Sequence, residues 1–360
     1  MASVREASPR PPTLKDVAET AGVSVATVSN VLNPDASKFV SAALRERVQA
    51  AAQALNYRPN VLARGMRGKG RRALAILVPQ FENFFFTRLV IGAERVAHAQ
   101  GYVLLICATY DEPSRERFYI ERLLSQKVDG FLLSPTAAGA ANTCLLREGK
   151  IPYVVVDRQL PGFSEEYDFV GFSNRQAADL ATEYLIAHGH RRIGFIGWNT
   201  GLPVLDERKD GFLDAVARHG LDPKDAPILL GPHTREEGER LLERLLAEHD
   251  VSAVFAGHQY QAEGVVLALR KLGKRVPKDL SLVVYGRPPW TELADPPPVC
   301  VEMPDSELGE RAVRRLVERI EGRTVGYLHD WVAPSLSPGA SVATVSGPKL
   351  QATRRRKATA

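Results

Sequence analysis

Two short helical patterns joined by a glycine turn span residues 13–33, and they constrain the fold more than any other stretch of this chain. Thr13 can cap the first helix and Ser24 the second, because a hydroxyl oxygen can accept a hydrogen bond from a free amide of the first turn. Gly22 lies in the turn, and the apolar spacing buries Val28 on the second helix. The side chains left facing outward are Val25, Ala26, Thr27, Ser29 and Asn30.

The outward face of the second helix has a chemistry that suits a DNA groove. Valine and alanine can contact thymine methyl groups, and the amide of Asn30 can form two hydrogen bonds with adenine. The pattern therefore predicts a helix-turn-helix whose second helix reads bases. A helical hairpin with glycine in its turn and serine at its cap also occurs without any DNA function, so the prediction depends on the rest of the chain.

The segments that follow extend the predicted DNA-binding unit. Ser41 begins a third amphipathic pattern, which closes a three-helix headpiece over 13–58. A basic segment comes next at 59–72, with no acidic residue in it. The net charge of the whole chain is only +5, so this clustering is what favours a polyanionic partner.

From residue 73 onward, apolar strand patterns alternate with helical patterns. Runs such as 74–79 and 128–135 are apolar almost throughout, which is typical of parallel strands covered on both faces. A second series of the same kind begins after 169–174. We therefore predict two doubly wound α/β lobes, with a ligand cleft between the carboxyl ends of their strands.

The predicted domain organisation follows from these changes of pattern. The core is predicted at 73–345, with one lobe formed by about 73–170 and 300–325, and the other by about 171–297 and 326–345. The polar ends, 1–12 and 346–360, are predicted to be disordered tails.

Taken together, the segments resemble the lactose-repressor-type (LacI/GalR) family of bacterial transcription regulators. The resemblance is strongest in the headpiece and the basic segment, and core runs such as Asp157-Arg158 and 188–197 extend it. It implies a homodimer, most commonly a repressor, that binds a nearly palindromic operator with each second helix in a major groove. It also implies a set of DNA-contacting residues: Thr13, Ser24, Val25, Ala26, Thr27, Ser29, Asn30, Asn60, Ala63, Arg64, Met66 and Arg67.

Two of these positions depart from the family's pattern. Family members often carry a basic residue where this chain has Asn30, and a leucine where it has Met66. The resemblance implies a hinge helix at 60–68 that forms only on DNA, since helix nucleation is costly and glycine weakens a short helix. Met66 would then push between base pairs from the minor groove, although it can equally be an exposed linker residue.

The family's effectors are mostly sugars, which implies a small-molecule site in the cleft. The residues expected there are Phe84, Phe85, Arg158, Asn174, Arg208, His258, Gln259 and Arg287. Acids common in relatives are replaced by His258-Gln259 and Arg287, and arginine suits carboxylate or phosphate, so the expected effector is a sugar or an anionic sugar derivative. Alternatively, the cleft has lost its ligand and Arg287 pairs with an internal acid such as Asp157.

Other function classes lack support in the sequence. The phosphate-binding, hydrolase and metalloprotease motifs GxGxxG, GxxxxGK[ST], GxSxG and HExxH are absent, so neither an enzyme nor a cofactor is expected. The three cysteines show no metal-ligand spacing, and no metal site is predicted. No signal region or membrane-spanning run is present, which favours the cytoplasm. A periplasmic solute-binding protein would share the clamp but would need a signal peptide and would lack the headpiece.

Overall fold

The structure is a computed structural model that describes residues 10, 12–32, 40–57, 71–160, 166–198 and 203–345. The chain divides into two compact units, Met1–Arg71 and Arg72–Ala360. Five residues predicted to contact DNA lie outside the described residues, as do most of the two predicted tails. These five are Asn60, Ala63, Arg64, Met66 and Arg67.

The first unit contains three helices: α1 (Leu14–Ala21), α2 (Val25–Val31) and α3 (Ala42–Ala54). Their small core is built from valine and alanine, with Val17, Val28 and Val48 fully buried. Gly22 ends α1 with a left-handed backbone, φ 61°, which glycine adopts without steric cost. The predicted three-helix headpiece is confirmed.

The second unit alternates strands and helices, as the apolar runs predicted. Its strands are β1 (Ala73–Val78), β2 (Val103–Ala108), β3 (Gly130–Leu133), β4 (Tyr153–Val156), β5 (Asp168–Phe172), β6 (Ile193–Trp198), β7 (Ile228–Gly231), β8 (Ala253–Ala256), β9 (Ser281–Tyr285), β10 (Val299–Glu302), β11 (His329–Val332) and β12 (Ser335–Ser337). Its helices are α4 (Phe84–Ala99), α5 (Pro113–Ser125), α6 (Gly139–Glu148), α7 (Asn174–Ala187), α8 (Pro203–Arg218), α9 (Arg235–Glu248), α10 (Gln259–Lys271), α11 (Trp290–Leu293) and α12 (Asp305–Ile320). Among the described helices, none is both long and apolar enough to cross a membrane.

The strands of the second unit form two six-stranded sheets, one in each lobe. The first has the order β11-β5-β4-β3-β1-β2, and the second has the order β12-β10-β9-β8-β6-β7. Neighbouring strands are parallel, except that β12 runs antiparallel to β10. The central strands of each sheet, such as β3 and β8, are buried because helices cover both faces. The predicted fold class, an all-α headpiece with a two-lobed α/β core, is confirmed.

The chain crosses between the lobes at different points from those predicted. Strand β10 pairs with β9 in the second sheet, although 300–325 was assigned to the first lobe. Strand β11 pairs with β5 in the first sheet, although 326–345 was assigned to the second. The assignment is therefore wrong at these two strands, because the strand with which each one pairs decides the sheet that it joins. Helix α6 was not predicted.

Helices α4 and α12 of the first lobe cross at two glycines. A Cβ atom on Gly309 would lie 2.0 Å from the carbonyl oxygen of Leu89, and one on Gly92 would lie 2.0 Å from that of Ser306. Ion pairs between Arg88 and Asp305 also join the two helices. Glycine is required at this crossing because the two backbones touch.

We predict that Gly309→Ala lowers the free energy of unfolding by about 2 kcal/mol or more, because the helices must move apart. Gly322→Ala is the control, since Gly322 has a φ of 68° but no atom near its Cβ position. The control should lose only about 1 kcal/mol of stability, which is the cost of an alanine in the left-handed backbone conformation. Urea unfolding of both variants measures the difference, and an equal or smaller loss for Gly309→Ala would contradict the backbone contact.

Candidate functional site

Side-chain caps fix the two helices of the helix-turn-helix. The Ser24 hydroxyl accepts a hydrogen bond from the Thr27 amide at 3.1 Å, and the two hydroxyl oxygens lie 2.8 Å apart. On α1, the Thr13 amide donates to the Asp16 carboxylate at 2.7 Å, and the Thr13 hydroxyl accepts from the Asp16 amide. These bonds to Thr13 hold the pKa of Asp16 below its ordinary value. Thr13 and Ser24 therefore both occupy the predicted cap positions.

The outward face of α2 is apolar at its start and polar beyond. Val25 is 44% exposed and Ala26 is exposed as well, while Thr27, Ser29 and Asn30 are half-buried along the helix. The helix carries no acidic residue in its first turn that would repel phosphate. An exposed valine and alanine beside a hydroxyl and an amide present the groups that can contact base edges in a major groove.

The second unit has a cavity of about 50 Å³ between its two lobes, at the carboxyl ends of the strands. Its lining combines five aromatic side chains with six polar or charged ones and one methionine. The first lobe contributes Asn83, Phe85, Phe86, Asp157, Arg158 and Phe172. The second lobe contributes Trp198, Arg208, His258, Gln259, Tyr285 and Met303.

Arg208 is held rigidly at this cavity. Its Nε donates to Asn174 Oδ1 and its Nη1 donates to the carbonyl oxygen of Gly257, both at 2.8 Å. Its guanidinium carbon lies 3.7 Å from the ring centre of Tyr285, whose hydroxyl also donates to Asn174 Oδ1. Asn174 therefore lies behind Arg208, and its role is to position the guanidinium.

Asp157 contributes the one carboxylate of the described cavity lining. Burial raises the pKa of Asp157 to about 6, and the attraction of Arg158 and Arg208 lowers it only in part. Its backbone φ is 67°, a conformation that costs energy for a residue with a side chain. Asp157 was not among the residues expected in the cleft, so an acid lies there in addition to the expected residues.

Arg158 lies beside this carboxylate. Its Nε is 3.9 Å from Asp157, and its guanidinium also pairs with Asp111. One buried cation is thus shared between two carboxylates, which reduces the positive charge available to a ligand.

His258 is buried and adds no positive charge to the cleft at neutral pH. Burial, together with the charges of Arg208 and His233, lowers the pKa of His258 well below its ordinary value. Its Nδ1 accepts a hydrogen bond from the Tyr260 amide at 3.3 Å, so Nε2 carries the proton of the neutral ring. His258 is therefore a neutral hydrogen-bond donor. The cations that remain in the lining are Arg158 and Arg208.

A hydrogen bond joins the two lobes across the cavity. The Gln259 amide donates to Asn83 Oδ1, and the same oxygen accepts from the Phe85 amide at 3.0 Å. Asn83 also caps α4, so the link connects the amino termini of α4 and α10.

Not all of the predicted effector residues share this cavity. Phe85, Arg158, Arg208, His258 and Gln259 line it. Asn174 lies behind Arg208 and is not part of the lining, while Phe84 and Arg287 line a separate cavity of about 360 Å³. Arg287 pairs with Glu302 and Glu292, and not with Asp157.

The position of Arg287 outside the cavity has a local cause. Gly286, with φ 89°, turns the chain after Tyr285, so the next side chain points away from the cavity. The residues missed by sequence reasoning are Asn83, Asp157, Phe172, Trp198, Tyr285 and Met303. Most of them lie at or next to the carboxyl end of a strand, which was a usable signal.

A helix-turn-helix unit and a two-lobed unit with a cleft between parallel sheets define a class of DNA-binding regulators. Residues 13–60 match the family model described as bacterial regulatory proteins, lacI family. Residues 71–329 match the model described as periplasmic binding proteins and sugar binding domain of LacI family. The chain belongs to the LacI family, which confirms the resemblance and confirms a transcription regulator in place of an enzyme.

Individual relatives cover almost the whole chain. The ribose operon repressor of Escherichia coli strain K12 is 34% identical over 316 residues, which is 87% of this chain and 94% of the relative. The solved complex of the transcriptional regulator CelR with cellobiose is 30% identical, with a TM-score of 0.68 over 92% of this chain and 99% of that one. The lac repressor dimer bound to operator and the anti-inducer ONPF is 25% identical, with a TM-score of 0.81 over 93% and 100%.

We predict that Asp157→Asn raises the free energy of unfolding at pH 8. Because the folded pKa is about 6 against an ordinary 3.8, the unfolded chain releases this proton first as the pH rises, and stability is lost between about pH 4 and 6. The gain from the variant should therefore be largest above pH 6 and vanish near pH 4. Urea titrations at several pH values measure it.

Asp250→Asn is the matched control, because the Asp250 side chain is 86% exposed and should give little change at any pH. A stability gain for Asp157→Asn that does not depend on pH would contradict the buried, partly protonated carboxyl.

Proposed function

We propose that this chain binds a nearly palindromic DNA operator as a homodimer and represses transcription under the control of a small molecule in the cleft. The observation that carries the proposal is the exposed face of α2, where Val25 and Ala26 project from a helix capped by Ser24. A regulator that reads chromosomal DNA in a bacterium acts in the cytoplasm, which is the compartment we propose.

Each predicted contact has a role in this proposal. The methyl groups of Val25 and Ala26 contact thymine methyls, and the amide of Asn30 bonds an adenine. The hydroxyls of Thr13, Thr27 and Ser29, together with the exposed start of α2 at Ser24, lie against the phosphate backbone. These contacts are few for one headpiece, so a single copy would bind weakly.

We propose that the 60–68 segment completes the contact with DNA. Asn60, Ala63, Arg64 and Arg67 would follow the minor groove, and Met66 would be the wedge between base pairs. Two paired segments would supply the contacts that one short, glycine-containing helix cannot keep ordered alone.

Exposed apolar side chains support a dimer through the first lobe. Val103 and Ile106 on β2 are 64% and 43% exposed, and β2 is the outer strand of its sheet. Ile91 on α4 and Phe118 on α5 are 57% and 51% exposed. Apolar side chains that stay exposed at the edge of a sheet are available to a protein interface. The lac repressor relative is described as a dimer on its operator.

The lining of the cleft has the chemistry of a small-sugar site, and its volume of about 50 Å³ requires the two lobes to move apart to admit a sugar. The aromatic side chains of Phe85, Phe86 and Trp198 can cover the apolar face of a sugar ring, while Asp157 accepts and Arg208 donates hydrogen bonds to hydroxyls. An acidic substituent on the sugar could pair with Arg208. The ribose operon repressor and the CelR–cellobiose complex make neutral sugars the first ligands to test.

A second candidate is a regulator whose cleft takes no effector. The pairing of Arg158 with Asp111, the bonds from Arg208 to Asn174 and the Gln259–Asn83 link satisfy these polar groups without a ligand. In that case operator binding would depend only on protein concentration.

For the DNA-binding face, we predict that Asn30→Ala weakens binding to the strongest site recovered from random duplexes about tenfold, through loss of a two-bond base contact. Its effect on unrelated DNA should be small. Gln53→Ala, which removes an exposed amide from α3, should leave both affinities unchanged. Fluorescence anisotropy with labelled duplexes provides the measurement, and equal weakening on both kinds of DNA would show that Asn30 reads no base.

For the cleft, we predict that D-ribose, or its phosphate ester D-ribose 5-phosphate, changes the operator affinity of the wild-type chain. Arg208→Gln should abolish the change, because it removes the fixed donor of the cavity. Arg287→Gln is the control and should preserve the response, since this side chain pairs with Glu302 outside the cavity.

The same anisotropy assay, repeated over a series of sugar concentrations, measures the operator affinity of both variants. An equal loss of the sugar response in Arg208→Gln and Arg287→Gln would show that the sugar does not act through this cavity. No response to neutral or anionic sugars in the wild-type chain would favour the regulator without an effector.

A further inference from the structure

A third cavity lies within the second lobe, away from the cleft. It has a volume of about 210 Å³ and lies among α10, the segment that precedes β9, and the segment 290–298. It shares no lining residue with the cleft cavity. Its apolar lining comes from Val266, Leu269, Val276, Leu282, Ala294, Pro296 and Pro298.

Trp290 lines this cavity and carries an unused hydrogen-bond donor. Its indole Nε1 is buried and has no hydrogen-bond partner in the described part of the chain. A buried N–H without a partner costs about 1 to 3 kcal/mol, and indole nitrogen can only donate. The complementary group on a ligand is therefore an acceptor.

The other polar side chains of the lining narrow the choice of acceptor. Ser341 already accepts from the Val299 amide at 2.8 Å and donates to the Leu282 carbonyl oxygen. Arg275 is paired with Asp279. Arg270 and Lys274 are exposed, and neither has an ion-pair partner among the residues that the structure describes.

The charge at this cavity is therefore positive. Asp295 is the one acid in the lining, against Arg270, Lys274 and the already paired Arg275. Arg270 and Lys274 are cations beside an apolar lining. They complement a ligand that has a negatively charged group attached to a hydrocarbon part. The volume is below the 300 to 1,000 Å³ of typical drug-sized pockets, which favours a ligand of roughly ten heavy atoms.

We propose that this cavity binds a small apolar carboxylate. Its hydrocarbon part packs between Leu269, Val276 and Trp290, and a carboxylate oxygen accepts the indole N–H. Arg270 and Lys274 balance the charge from the rim. This site is separate from the effector cleft and does not depend on the ligand proposed there.

The test uses the full chain labelled with 5-fluorotryptophan, which gives one fluorine signal for each of Trp198, Trp290 and Trp331. The spectrum of Trp290→Phe assigns the signal of Trp290. Phenylacetate and hexanoate are the probes, and phenylacetamide and hexanamide are their neutral controls. We expect the acids to shift the Trp290 signal saturably, and the amides to bind about tenfold more weakly.

Charge variants separate this site from general anion binding. Arg270→Gln with Lys274→Gln should weaken the acids about tenfold or more, with circular dichroism unchanged because both side chains are exposed. Arg191→Gln with Lys224→Gln, two exposed cations elsewhere in this lobe, should leave the affinity unchanged. The proposal is overturned if the Trp290 signal has not shifted when the acid concentration reaches about 10 mM, or if the amides bind as tightly as the acids. It is also overturned if the two double variants bind the acids with the same affinity.

Discussion

Buried polar groups need partners, and this constraint shapes the cleft more than any other. Arg208, Asn174 and Tyr285 satisfy one another behind the cavity wall, which fixes a guanidinium where a ligand would meet it. Asp157 is the exception, since burial outweighs the attraction of the neighbouring arginines and raises its pKa. The cleft is therefore nearly balanced in charge. This suits a neutral polyhydroxyl ligand better than the arginine and histidine residues predicted from the sequence had indicated.

The two units rely on different physical sources of stability. The headpiece has a core of small valine and alanine side chains, so it presents a helix but gains little from burial. The two-lobed unit has extensive apolar cores around its sheets, and close contacts such as Gly309 against Leu89 fix its helices. In the proposed homodimer, the two-lobed units would hold two weakly binding headpieces at one operator, where the second would bind at a high effective concentration.

The sequence predicted those features that depend on local patterns. The caps at Thr13 and Ser24 and the alternation of apolar strands and helices each leave a periodic or positional signal. The lobe memberships of β10 and β11 were wrong, because an apolar strand pattern does not show with which strand it will pair. Arg287 was misplaced because the turn at Gly286 redirects its side chain, and the neutrality of His258 depends on burial that only the folded chain creates.

Selection of binding sites from random duplex DNA with the full-length chain, at a low and a high salt concentration, tests the account most directly. If two copies of α2 read a single operator, the selected sites will converge on a palindrome whose half-sites persist at the higher salt. Recovery of unrelated sequences, with binding that simply disappears as salt rises, would mean that the chain contacts phosphate alone and would contradict the account.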